Sequence, residues 1–130
     1  MNKSFVVSGK SEVSESCIVF NLLNEINGQK NTDVSSGLIY DCKDAEVSLR
    51  KSVIGPGGYL APHKAPGVVC ICVTKGSGYC GLTSQDDQIS CRIAIAEGDI
   101  LTFENNMPLH FYEAGDAGLE YIAVSIPKAG

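Results

Sequence analysis

Fourteen glycines break this 130-residue chain into short runs rich in Val, Ile and Tyr, and that rhythm restricts its fold more than any other feature. No long helix survives such punctuation, whereas short apolar or alternating runs separated by turn residues are the pattern of an antiparallel β protein. The runs are Gly37–Asp41, Glu46–Ile54, Val68–Thr74, Tyr79–Thr83, Ser90–Ile95, Ile100–Phe103, His110–Glu113 and Leu119–Ile126. Their number and spacing predict a sandwich or barrel. The intervening segments predict turns. Lys75–Gly78 is expected to form a tight hairpin, Gln85–Gln88 and Ala114–Gly118 further turns, and Gly55–Gly58 a bend between strands. Val68–Thr74 is apolar on both faces, so both faces need cover.

The first 36 residues read differently. Ser14–Ile26 places Ile18, Leu22, Leu23 and Ile26 at helical spacing, and a short helix is expected over Phe20–Ile26. Gly28–Ser36 is expected to be loop. The division is therefore an N-terminal extension, 1–36, packing on a barrel, 37–130.

Composition narrows the function. A hydrophobic fraction of 44 % and a charged fraction of 19 % suit one packed domain rather than a disordered chain. The formal net charge is −5, with no basic cluster, so nucleic acid and anionic membranes are poor partners. The N-terminus shows no apolar stretch of signal-peptide length, and a cytoplasmic location is expected. In that setting the six cysteines read as reduced, mostly buried small hydrophobes. Cys70 and Cys72 are too close in sequence for a zinc-knuckle loop.

The order of elements from Gly57 onward resembles the cupin superfamily, small jelly-roll barrels of double-stranded β-helix type. That family's first motif runs from a glycine through two histidines and a glutamate to a closing glycine. Gly57 stands six positions before His63, and Gly76 matches the closing glycine. The second histidine position holds Ala65 and the glutamate position Val69. For the second motif, Gly98-Asp99 is similar to its opening and Pro108 falls just before its histidine position. That position holds Leu109, with Glu104, Asn106 and Glu113 at its proline, glycine and asparagine positions.

The resemblance implies an all-β, single-domain barrel with an interior pocket. With the family's histidine position at Leu109 facing inward, strand alternation carries Phe111 and Glu113 inward and His110 outward. The ligand-binding set is then His63, Ala65, Val69, Ile71, Leu109, Phe111 and Glu113. An inward Glu113 needs a partner such as Arg50, Lys51 or His63. Metal-dependent cupins hold Fe, Mn, Ni or Zn with three histidines and a glutamate, of which this pattern keeps only His63. The expected function is therefore metal-free binding of a small polar organic ligand, with no cofactor. One alternative is an isomerase, epimerase or lyase with His63 as base and Glu113 or a tyrosine as acid. A second is a metallocupin dioxygenase with His63, His110 and Glu113 as ligands, and a third is a purely structural module. A homodimer that covers the outer face of Val68–Val73 is also expected.

Overall fold

A computed structural model describes residues 3–83 and 89–127. Eleven strands run through them: β1 (Lys3–Val7), β2 (Val13–Cys17), β3 (Phe20–Leu22), β4 (Glu25–Ile26), β5 (Gln29–Lys30), β6 (Thr32–Cys42), β7 (Val47–His63), β8 (Val68–Thr83), β9 (Ile89–Ala96), β10 (Ile100–Phe103) and β11 (Leu109–Ile126). No helix is found among the described residues, and hence none long and apolar enough to cross a membrane. The main sheet is antiparallel throughout, in the order β10-β8-β11-β7-β6-β3, with β9 on β8. The hairpins β1–β2 and β4–β5 stand apart from it.

Two glycine-rich segments behave otherwise than the sequence suggests. Lys75–Gly78 is not a hairpin and Ala114–Gly118 does not reverse the chain; β8 and β11 run straight through them, as β7 runs through Gly55–Gly58. Each is a corner where one long strand leaves one half of the sheet and enters the other. The partners of β8 make this visible, since Val69–Cys72 pair with β10 while Ser77–Thr83 pair with β9. At the corner β11 carries one extra residue between Glu113 and Leu119 relative to β7, a bulge that bends the strand. Gly76 adopts φ +81°, and a Cβ there would collide with the carbonyl of Gly118. Only glycine lets the two backbones approach so closely.

The helix expected over Phe20–Ile26 does not form. Phe20–Leu22 pair with Ser35–Gly37 at the edge of the main sheet, and Glu25–Ile26 pair with Gln29–Lys30. A seven-residue helix is marginal alone, whereas an edge strand gains a ready-made ladder. The expected loop 28–36 is likewise largely strand, because β6 begins at Thr32 and pairs with β7. The turn expected at Gln85–Gln88 lies outside the described residues.

The folded-over halves enclose a core in which Ile54, Leu119, Val73, Cys80 and Tyr112 are fully or almost fully buried. The six cysteines form no disulfide among the described residues, and only Cys80 is fully buried. Cys42, Cys70 and Cys72 are half-buried, and Cys17 and Cys91 are exposed, so the expectation that most are core residues does not hold.

Candidate functional site

β7 and β11 are paired on both sides of the corner. His63, at the end of β7, is the register partner of His110, at the start of β11. Their ring centroids lie 4.7 Å apart. Nδ1 of His63 is 2.9 Å from the carbonyl of Ala61. A carbonyl only accepts, so Nδ1 carries the proton and Nε2 presents a lone pair. Desolvation lowers the His63 pKa below the usual histidine value, against a smaller opposing effect of the Ala61 hydrogen bond.

His110 is more enclosed, at 2 % exposure. Its ring stacks on Phe103 at 4.2 Å, and its Nδ1 lies 3.0 Å from the hydroxyl of the buried Tyr112. Burial, and then the nearby His63, push its pKa down to about 3, so the imidazole is neutral near pH 7. Its Nε2 is buried and has no hydrogen-bond partner among the described residues. That nitrogen is a donor when Tyr112 donates to Nδ1 and an acceptor when Tyr112 accepts. Burial also raises the Tyr112 pKa well above the usual phenol value, so its hydroxyl stays protonated.

Both histidines line a cavity of about 460 Å³, within the range of small-molecule sites. Leu60, Ala65, Val69 and Ile71 supply much of its apolar wall, and Leu22, Leu23 and Ile26 border it from the N-terminal segment. Arg50, Ser36, Ser52, Ser125 and Tyr121 add polar groups. Of the residues expected to face a ligand, His63, Ala65, Val69 and Ile71 line this cavity.

Leu109, Phe111 and Glu113 do not, and His110 does. The inward face of β11 is His110 and Tyr112, one residue out of step with the expected set. Phe111 packs on Tyr59 at 5.8 Å and lies where a side chain on Gly81 would be. Glu113 is an ion-pair partner of Arg92, not of Arg50, Lys51 or His63, and with Phe111 and Tyr59 it borders a separate cleft. A slip of one residue in placing a motif on a strand exchanges its two faces. Choosing the phase that keeps the charge of Glu113 out of the interior gives the observed arrangement. The sequence reading also did not place Arg50 and Ser52 in the cavity, although counting back by twos from the buried Ile54 puts both on the inward face.

The two imidazoles do not complete a metal centre. Among the described residues no three His, Cys, Asp or Glu side chains come together. The set His63, His110 and Glu113 is not assembled, since Glu113 points away. Protein sites for Fe, Mn, Ni or Zn rest on three or four ligands, and two neutral imidazoles fall short.

No family profile matches the sequence, and no curated protein sequence does. Solved structures do match the backbone. A cupin 2 conserved barrel domain protein from Rhodopseudomonas palustris superposes with a TM-score of 0.70 at 17 % identity, covering 89 % of this chain and 76 % of its own. The polyketide cyclase RemF from Streptomyces resistomycificus gives 0.66 at 16 % identity, covering 84 % and 73 %. KdgF from a Halomonas species gives 0.59 at 13 %, covering 75 % and 82 %. Likeness of this extent at such low identity speaks for the backbone alone, and the chain accordingly has the cupin fold, a jelly-roll double-stranded β-helix.

Proposed function

We propose that the protein binds a small polar organic molecule in the cavity between its half-sheets, through hydrogen bonds to the two neutral imidazoles and without a divalent metal. The observation that carries this reading is the buried, unpartnered Nε2 of His110 on a residue lining that cavity. An unsatisfied buried polar atom costs about 1–3 kcal/mol, which a bound molecule with a complementary group recovers. Apolar walls with a few convergent polar atoms are the usual make-up of such sites.

Thermal melts against sugars, nucleotide sugars, carboxylates and amino acids test the reading. A ligand at 100 times its Kd adds about 2.7 kcal/mol of stability. The stabilisation should disappear in His110→Phe and persist in Glu113→Gln. A flat response across the panel, or stoichiometric Fe, Mn, Ni or Zn lost in His63→Ala, overturns it.

One observation favours a catalytic version of the same site. The Ala61 carbonyl fixes the His63 tautomer, and the lowered pKa keeps Nε2 free to accept a proton. The acid–base pair of an isomerase, epimerase or lyase would then be His63 and His110, not His63 and Glu113. Turnover of a bound ligand that is lost in His63→Gln while binding persists identifies this case. A cytoplasmic location and a two-copy assembly belong to the same proposal; an apolar outer face supports the second.

A further inference from the structure

We infer that the ligand is a small monocarboxylate with an apolar body, held at its anionic end by Arg50 and hydrogen-bonded at its far end by the imidazoles. The inference rests on the reading of this cavity as a ligand site and adds the chemical class. Among the described residues Arg50 is the only fully charged group lining the cavity and no Asp or Glu lines it, although the chain as a whole carries −5. Lys51, next along β7 and on the opposite face, lies 3.5 Å from Glu120, whereas Arg50 has no ion-pair partner among the described residues. The surroundings of Arg50 leave room for a guest. Its register partner on β11 is Ala123, a small residue that also lines the cavity, and the neutral polar lining groups on this half of the sheet are Asn21, Ser36, Ser52, Ser125 and Tyr121.

The two polar ends sit on opposite sides of the glycine corner. Arg50 and Ser52 precede Gly55–Gly58 in β7 and His63 follows it, so the folded strand carries a cation on one half-sheet and a neutral imidazole on the other. Leu60, Val69 and Ile71 also line the cavity. A guanidinium presents parallel N–H donors that match the two oxygens of one carboxylate. A doubly charged phosphate ester would leave charge uncompensated beside apolar walls, since one cation is all the cavity offers. The far end of the ligand then needs a hydroxyl, carbonyl or similar group to meet Nε2 of His110 and of His63.

Titration of isotope-labelled protein, followed by nuclear magnetic resonance and calorimetry, tests this with benzoate, para-hydroxybenzoate and hexanoate. Each is paired with its own uncharged amide, and phenyl phosphate is included. The acids should shift resonances of Ser52, Ala123 and His110 and bind at least about tenfold more tightly than the amides, the usual range for a charge-assisted hydrogen bond. Para-hydroxybenzoate should bind more tightly than benzoate. Arg50→Gln should abolish the difference between acid and amide with little change in amide binding, and Arg50→Lys should retain part of it. Arg50 is exposed, so neither substitution empties the core. Amides that bind as well as acids, a difference that survives Arg50→Gln, or phenyl phosphate binding more tightly than benzoate overturns the carboxylate assignment and leaves cavity binding standing. No perturbation of cavity resonances by any acid or amide overturns both.

Discussion

His110 shows how one side chain is governed by its surroundings. In the unfolded chain its imidazole titrates near the ordinary value of about 6.5; in the fold, burial and His63 hold it down to about 3. Between those values the unfolded chain binds a proton that the folded chain refuses. Folding stability from this group is therefore fully present above about pH 6.5 and falls as the pH drops towards 3, at a rate approaching about 1.4 kcal/mol per pH unit. His63 acts in the same direction. Replacing His110 by Phe keeps an aromatic ring against Phe103 and removes the titration. Urea unfolding at steps between pH 7 and pH 4 should then show a shallower loss of stability in His110→Phe than in the wild type. Equal slopes would show that His110 is not held neutral by the fold. Glu113 makes the contrasting case, a carboxylate on the outer side of the same strand beside Arg92, where solvent and a cation keep its charge inexpensive.

At the scale of the strand, the corners decide the architecture. Gly76 and Gly57 both adopt positive φ, at +81° and +69°, but their surroundings differ. A Cβ on Gly57 meets nothing within 4 Å, whereas one on Gly76 collides with the backbone of Gly118 on β11. Gly57→Ala should cost only the left-handed backbone, about 1–2 kcal/mol. Gly76→Ala adds a backbone clash that no rotamer relieves and should cost more than about 3 kcal/mol. Equilibrium unfolding of the two variants measures the difference, and similar losses would contradict close packing of β8 on β11 at the corner. The expected hairpin at Lys75–Gly78 fails for the same reason. Glycine marks a backbone that must depart from the regular strand, but reversal and bending need the same residue, and only the partner strands distinguish them.

For the molecule as a whole, the outer face of the sheet is apolar. Cys70 and Cys72 are half-buried there beside Val124 and Ile122, their register partners on β11, and Ile100 on the neighbouring strand is largely exposed. The β1–β2 hairpin exposes Phe5, Val7 and Val13 as well. Surface of this kind is usually covered by a partner. Light scattering should report twice the chain mass of 13.8 kDa, and Val124→Glu should return a folded monomer. A wild-type monomer at all concentrations tested would remove the dimer from the account.

Local patterning was enough to read the β class, the strand runs from Glu46 onward and the common face of Val69 and Ile71, whereas the place of His63 at an interior pocket came only with the resemblance to cupins. The first three depend on alternation or on turn residues within a few positions, and the chain carries that information directly. Tertiary pairing decided the rest. The phase of Leu109–Glu113 was set by which face packs on Tyr59 and which on Phe103. The fate of Phe20–Ile26 was set by the free edge of β6, which outweighs a helix too short to hold itself. Arg50 and Ser52 joined His63 and His110 because one strand bends at Gly55–Gly58 and folds its halves together. Such contacts join residues far apart in the chain, where nothing in the local spacing can specify them.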